Sequence, residues 1–268
     1  MRYTEAPQRR AELLRRVTEA GYLSSGDAAA ALGVSEMTIR RDLRQLAAQG
    51  LVNRVAGGAT VPSPAPGAPF DQRRVEAPVE KEAVARAAVP LLSSASVVAL
   101  DAGTTVAALA AHLPGGLTVV THSVPVILTC TEREDIDLIA LGGNYHAPTR
   151  SFTGPITRAS LADLAVDVAV LSATAVSRGG VYSANASDAD TKRAMARIAR
   201  RVILLLDHHK LDERAPMRII GLHAVDTVVI DDGATDEHLG FLRRTCRNLV
   251  VARSRANDGV LAGAAGLS

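Results

Sequence analysis

The sequence predicts two domains: an N-terminal, mainly α-helical one ending in a β wing, and a larger α/β one with a mostly parallel sheet. Three observations carry this. Residues 33–58, GVSEMTIRRDLRQLAAQGLVNRVAGG, place a Gly-Val turn, a serine cap, an amphipathic helix, a glycine stop and a Gly-Gly turn in succession, the layout of the second half of a winged helix-turn-helix. Residues 61–69 hold four prolines in nine positions, which suits neither a helix nor a ladder strand. Beyond them, short aliphatic runs alternate with helical stretches, as expected of strands buried on both faces of a sheet.

The first expected helix, residues 9–20, sets Leu13, Leu14 and Val17 on one side and Arg10, Arg15, Arg16 and Glu19 elsewhere. Ser24-Ser25-Gly26 then leads into a short alanine-rich helix over 27–32, broken by Gly33 to give a tight turn. In the next helix, Ile39, Leu43 and Leu46 recur at i, i+4 and i+7, with Ala47 beside them, and form the buried face. The opposite face carries Met37, Arg41 and Arg44, flanked by Thr38 and Gln45 on one side and Arg40 on the other. Ser35 is placed to cap this helix, Glu36 sits at the positive end of its dipole, and Gly50 is placed to end it. A short β-like return with Arg54 follows.

Charge is uneven. Residues 1–60 hold nine Arg against six Asp and Glu, a balance of +3, whereas residues 61–268 balance at −1. Basic charge thus gathers in the segment with the recognition-helix layout, the electrostatic footprint of a DNA reader. Ser35, Met37, Thr38 and Arg41 are expected near base edges, Arg40 and Arg44 on phosphates, and Arg54 on the backbone or in the minor groove. Helical phase alone divides Arg40 from Arg41. One such head offers little surface, so a homo-oligomer, dimer or tetramer, is expected on a double-stranded DNA operator.

Composition excludes several classes. No apolar run approaches the roughly 20 residues that span a bilayer, and the charged N-terminus has no signal-peptide core. Cys130 and Cys246 lie far apart without metal spacing, so both are expected as free thiols in a reducing cytoplasm. Neither a metal nor a cofactor is called for. The expected organisation is 1–60 for the DNA-binding domain, 61–79 for a Pro-rich linker, 80–255 for the α/β domain, and 256–268 for a tail that frays.

Within the α/β domain a helix is expected over 80–92, with further helical stretches at 105–113 and 188–200. The strand candidates are 97–100, 117–121, 136–141, 166–171, 202–206, 227–230 and 249–252. Ligands bind at the carboxyl ends of such strands. Asp101-Ala-Gly103-Thr104-Thr105 follows the first strand and opens a helix, an arrangement of close backbone approach, hydroxyls and orphan N–H groups that suits a phosphate and, equally, a plain turn at Gly103 with a threonine cap. Asp101 repels a phosphate and fits a sugar hydroxyl or backbone N–H groups better. Thr121-His122-Ser123 follows the second strand, Gly142-Gly143 the third, and Asp207 ends a later one, with Lys210 three residues on. Lys192 lies early in a helix whose start, Ser187-Asp188-Ala-Asp190, has capping-box spacing. Taken alone, Lys192 fits an i,i−4 pair with Asp188; with Lys210 and the glycine-threonine loop it suits a phosphorylated small molecule.

Two strings carry a family resemblance. Val34-Ser35-x-x-Thr38-Ile39-Arg40-Arg41-Asp42-Leu43, followed by Gly50-Leu51-Val52-x-Arg54 and Gly57-Gly58, resembles the DNA-binding domain of the DeoR family of bacterial transcriptional regulators. Phe70-Asp-Gln-Arg73, Glu80-Lys81, Asp101-Ala-Gly103-Thr104-Thr105, Thr121-x-Ser123, Gly142-Gly143, Asp190-Thr-Lys192-Arg-Ala-Met195 and Asp207-x-x-Lys210 follow the order of DeoR-type effector domains. Such domains resemble ribose-5-phosphate isomerase in fold and are taken to sense phosphorylated sugars or related metabolites. The resemblance implies a regulator, usually a repressor of sugar or carbon metabolism released by ligand, with Asp101, Gly103, Thr104, Thr105, Thr121, Ser123, Gly142, Gly143, Lys192 and Lys210 in its effector pocket. His122 stands where the family commonly has Asn, and Asp188 and Asp190 replace the usual glutamates near Lys192.

The alternative class is a phosphosugar isomerase. Isomerisation through an enediol needs a carboxylate base at the substrate carbon. Related isomerases carry acidic residues just after a central strand, and the corresponding stretch here, VLSATAVS at 170–177, has none. No isomerase activity is expected. Asp207-His208-His209 resembles a metal cluster, but neighbours on a strand end point apart, so a surface turn is the simpler expectation. His112, His146, His223 and His238 are scattered and carry no signal.

Overall fold

The computed structural model describes residues 6–20, 22–49, 51–55, 57–60 and 67–254. The expected stop at Gly50, residues 61–66 of the Pro-rich linker and the expected fraying tail lie outside the described residues, while the rest of the expected linker carries a short helix and the start of another. The chain divides into two compact units, Met1–Pro64 and Ala65–Ser268.

The first unit runs α1 (Ala6–Ala20), β1 (Tyr22–Ser24), α2 (Ser25–Leu32), α3 (Glu36–Ala48), β2 (Asn53–Val55) and β3 (Gly58–Thr60). Gly33 closes α2 at φ 66°, a left-handed conformation that costs glycine nothing and gives the tight turn into α3. The predicted stripe is the observed core: Ile39, Leu43 and Leu46 pack with Leu13 and Val17 of α1 and Ala28 and Leu32 of α2. Each large aliphatic side chain buried there contributes roughly 1.5–3 kcal/mol. Val52 and Ala59 from the wing close the cluster. The wing is three-stranded, β1-β3-β2, all antiparallel. Its first strand, only three residues long, is too short to leave a period in the sequence.

The second unit opens with α4 (Phe70–Arg74) and α5 (Pro78–Ala88), then β4 (Val97–Leu100), α6 (Thr104–Ala110), β5 (Leu117–Thr121), α7 (Val124–Thr131) and β6 (Ile136–Ala140). A hairpin of β7 (Asn144–His146) and β8 (Ser151–Thr153) precedes α8 (Pro155–Ala162) and β9 (Val166–Ser172). Next come β10 (Ala175–Ser177), β11 (Gly180–Ser183), α9 (Ala186–Ile198), β12 (Ala199–Leu206) and β13 (Met217–Ile220). The last elements are β14 (Thr227–Asp231), α10 (Asp236–Thr245) and β15 (Asn248–Ala252).

All seven strand candidates enter one seven-stranded parallel sheet in the order β15-β14-β12-β9-β4-β5-β6. Alternate residues feed opposite faces: Val98, Leu100, Ile203 and Leu205 join the core with α5 and α6, while Ala99, Leu204 and Leu206 join the one with α9 and α10. Both faces are therefore covered, which is why the strands read as unbroken aliphatic runs. The chain winds from β4 out to β6, returns, and winds from β9 out to β15. The winding reverses between β4 and β9, and the crevice beyond their carboxyl ends is where such a sheet offers a ligand site. Among the described residues, no helix is long and apolar enough to cross a membrane.

Candidate functional site

The recognition-helix face of α3 starts from its cap. Ser35 Oγ accepts the Thr38 N–H at 3.2 Å, and the two hydroxyls lie 2.9 Å apart. Met37 is 76% exposed, and Ser35, Arg40, Arg41, Arg44 and Arg54 are exposed as well, with Thr38 half-buried. Arg40 pairs with Glu36 one turn back at 2.6 Å. Arg41 and Arg44 have no carboxylate partner among the described residues, so α3 presents two unneutralised guanidinium groups on the side away from the core. Behind that face, Asp42 is buried and accepts from Arg9 Nε at 2.5 Å, with Arg10 at 3.6 Å. This ion pair fixes α3 on α1.

At the carboxyl ends of β4 and β9, Asp101 is fully buried and Lys192 of α9 is 3% exposed. Asp101 Oδ1 accepts the Gly103 N–H at 2.8 Å and Oδ2 accepts the Ser172 N–H at 2.7 Å. Lys192 Nζ donates to Asp101 Oδ2, to the Ser172 carbonyl at 3.1 Å and to Ser172 Oγ at 3.0 Å. Asp188 lies 3.8 Å away, so the i,i−4 pair exists but is the looser of the two. Burial alone would push the Asp101 carboxyl up, but the Lys192 ammonium and the two N–H groups hold it below the usual carboxylate range. Gly103 has its own reason to be glycine: a Cβ there would sit 2.3 Å from Ser172 Cβ, so the close backbone approach is to Ser172.

The remaining expected residues spread along the same sheet edge. Thr104 and Thr105 are buried at the start of α6. Thr121 Oγ1 donates to the Leu100 carbonyl at 2.7 Å and accepts the Ser123 N–H, and Ser123 caps α7. Gly142 and Gly143 follow β6, two strands and roughly 10 Å from β4. Lys210 lies 3.8 Å from Glu76 and near buried Asp207, whose carboxyl burial would raise but which His209, Lys210 and Lys81 bring down to about 2. The structure thus brings Asp101, Gly103 and Lys192 together directly and leaves Gly142, Gly143 and Lys210 at separate strand ends.

Comparison with known proteins decides the family. The model of the DeoR C-terminal sensor domain matches residues 76–232, more than half of the chain, and that of the DeoR-like helix-turn-helix domain matches residues 9–65. The chain belongs to the DeoR family. It is a DNA-binding transcriptional regulator. An uncharacterised HTH-type transcriptional regulator of Escherichia coli is 32% identical over 92% of this chain and 98% of its own length. The glycerol-3-phosphate regulon repressor of Escherichia coli is 31% identical over 84% of this chain and 90% of its own. The L-fucose operon activator of Haemophilus influenzae is 30% identical over 84% and 91%. Ribose-5-phosphate isomerase A of Neisseria gonorrhoeae is similar at a TM-score of 0.36 and 14% identity, over 50% of this chain and 53% of that one, too little to argue from.

Three residues of this DeoR-family regulator take roles that the sequence alone does not assign. Ser172 bridges Asp101 and Lys192 from the end of β9, and only the strand pairing reveals that. Lys81 is 4% exposed, with its ammonium on the carbonyls of Arg73 and Glu76. Burial brings its pKa down to about 8, against the pull of Asp207 and Glu76 and with the push of Lys210 and Arg73. His122 is fully buried; its Nδ1 donates to the Phe152 carbonyl at 2.8 Å, and Nε2 has no partner among the described residues. Burial lowers its pKa, so the ring is neutral and Nε2 is an acceptor.

Three expectations need correction. The cap of α9 is Asn185, whose Oδ1 accepts from Ser187 and Asp188, rather than Ser187 two residues later. Asp207-His208-His209 is not a plain surface turn, because Asp207 is buried and His208 Nδ1 bonds Asp231 at 2.6 Å. Among the described residues, no group of three His, Cys, Asp or Glu could hold a metal. Some of the histidines read as silent have partners: His112 meets Glu82 at 2.8 Å and His146 meets Thr149 at 2.9 Å.

Proposed function

We propose that this regulator represses an operon of sugar or carbon metabolism and that a phosphorylated small metabolite modulates its hold on DNA. The single observation that carries the DNA half is the Arg41–Arg44 face of α3, without a carboxylate partner among the described residues and opposite the buried Ile39–Leu43–Leu46 stripe. On this reading Ser35, Met37, Thr38 and Arg41 meet base edges, Arg40 and Arg44 meet phosphates, and Arg54 meets the backbone or minor groove. A homo-oligomer, dimer or tetramer, in the cytoplasm sets the spacing of the heads.

The effector half rests on the switch-point cluster, where a metabolite phosphate competes with Asp101 for Lys192. The relative named as a glycerol-3-phosphate regulon repressor supports both the metabolite class and the sign, against the one named as an L-fucose operon activator. Asp101, Gly103, Thr104, Thr105, Thr121, Ser123, Gly142, Gly143, Lys192 and Lys210 form the candidate set. An isomerase reading is disfavoured. The buried carboxylate at the seam, Asp101, is already held by an ammonium and two N–H groups, which leaves it a poor base.

The test is binding of the full chain to its own upstream intergenic DNA, with and without a panel of phosphorylated sugars. A salt-sensitive, sequence-selective shift that one sugar phosphate alters is the expected result. Tight binding indifferent to the panel removes the ligand class; no selective binding, or conversion of a pentose phosphate, removes the regulator reading. Lys192→Ala is expected to keep DNA affinity and to blunt the ligand response.

A further inference from the structure

We propose that His122 selects the effector by its body: the imidazole Nε2 accepts a hydrogen bond from a ligand hydroxyl, so the metabolite is a polyhydroxylated phosphate rather than an alkyl one. The inference rests on the effector reading above. It adds a residue outside the candidate set, one that stands where the family commonly has Asn.

The ring is held by its other nitrogen. His122 follows β5 and is fully buried, and its Nδ1 donates to the Phe152 carbonyl of β8 at 2.8 Å. The Phe152 N–H returns to the His122 carbonyl at 2.9 Å. These bonds fix the tautomer: a proton on Nδ1 leaves Nε2 of a neutral ring with a lone pair and nothing to donate. Burial, the largest influence on the ring, keeps it neutral. Among the described residues only two buried side-chain nitrogens or oxygens lack a partner, and Nε2 is one of them; the other, His238 Nδ1, belongs to α10. An acceptor buried and unpaired is costly, and a donor brought to it relieves that cost.

The orphan nitrogen belongs to the switch-point region. Thr121 lies opposite Leu100 in the β5–β4 pair, so His122 and Asp101 come next on two neighbouring strands. The charges of Asp188, Asp101 and Lys192 all reach the ring. Hydroxyls of the chain in this region are already engaged: Thr121 donates to the Leu100 carbonyl, Ser172 to Asp101 and Ser183 to Asp188. The missing donor therefore comes from the ligand. Nε2 is closed to solvent, so the hydroxyl reaches it as Lys192 is drawn aside, the step that the effector reading already requires. An Asn amide can donate or accept, whereas this imidazole only accepts. An ionised phosphate oxygen offers it no proton; a sugar hydroxyl does. A site built to pair a hydroxyl rejects the analogue that lacks it, because the buried partner is then left alone.

The test titrates the full chain calorimetrically with ribose 5-phosphate, fructose 1-phosphate, fructose 6-phosphate, glucose 6-phosphate and glycerol 3-phosphate. Propyl phosphate, which keeps the phosphate and has no hydroxyl, is the reference. The tightest hydroxylated probe is expected to exceed propyl phosphate in affinity by roughly tenfold or more. His122→Leu removes both ring nitrogens, whereas His122→Asn keeps a donor for the Phe152 carbonyl and gives up the Nε2 position. Each variant is expected to weaken the tightest probe by roughly tenfold or more and to leave propyl phosphate unaffected. His122→Asn is expected to melt as the wild type does, so it decides the matter where His122→Leu fails to fold. Equal affinity of the wild type for its tightest probe and for propyl phosphate overturns the proposal and leaves a phosphate effector standing. A preference retained in His122→Asn does the same and makes His122 a core residue. If no probe binds, the effector reading falls and this one falls with it.

Discussion

Asp42 places a full negative charge on the apolar stripe of α3, three residues after Ile39 and one before Leu43, and Arg9 and Arg10 of α1 answer it. Removing one partner of a buried pair leaves the other without compensation, so Asp42→Ala is expected to destabilise the N-terminal unit by about 3 kcal/mol. Urea unfolding checks this; a change under 1 kcal/mol, about the worth of a surface pair, shows that the pair is solvated. Arg41 poses the opposite case, a charge with no carboxylate partner among the described residues. Arg41→Ala is expected to weaken operator binding by roughly 1–3 kcal/mol with relaxed preference at one base position. Unchanged affinity in a footprinting titration takes Arg41 out of the interface. The faces of α3 were legible from period alone, since Ile39, Leu43 and Leu46 fix the phase. The role of Asp42 was half-legible: a charge on the buried stripe demands a partner, but nothing in the sequence says that Arg9, thirty-three residues earlier, supplies it.

Among the elements, the central strands were the most readable, because a strand covered on both faces needs an unbroken aliphatic run. Their order was not readable. No local pattern tells β4 that its neighbours are β5 and β9, and so none could name Ser172 as the link between Asp101 and Lys192. Helix starts fell between these extremes. The run Ser183-Ala184-Asn185-Ala186-Ser187-Asp188 holds several residues able to cap, and only backbone geometry selects Asn185, extended at φ −122° and ψ 131°. Asn185→Ala is expected to cost about 1 kcal/mol, whereas Ser187→Ala is expected to be near neutral. Thermal melts of the two variants check the ranking, and a reversed order removes Asn185 as the cap.

For the whole molecule, the uneven charge and the two-unit organisation divide the labour: basic charge gathers in residues 1–60 and the switch-point cluster lies in the second unit. The second unit also has its own acid weakness. The Asp207 carboxyl, held at about 2 against an ordinary 3.8, contributes stability that is fully present above about pH 4 and lost as pH falls towards 2. That contribution is about 2 kcal/mol. Asp101, also held low, acts in the same direction. Unfolding of the second unit, followed by calorimetry between pH 5 and 2, is expected to shift down more steeply in the wild-type chain than in Asp207→Asn. Parallel curves remove Asp207 as a source of the acid response.

The Asp101 carboxylate reaches across the seam between β4 and β9 to hold the Ser172 N–H at 2.7 Å, while Lys192 grips the same oxygen. That one backbone proton therefore works as a clock. In deuterated solvent it exchanges slowly while the ammonium keeps the carboxylate in place, and a ligand that draws Lys192 away lets it run fast. On the proposed effector reading, occupancy is expected to show at this single amide, with no DNA in the tube.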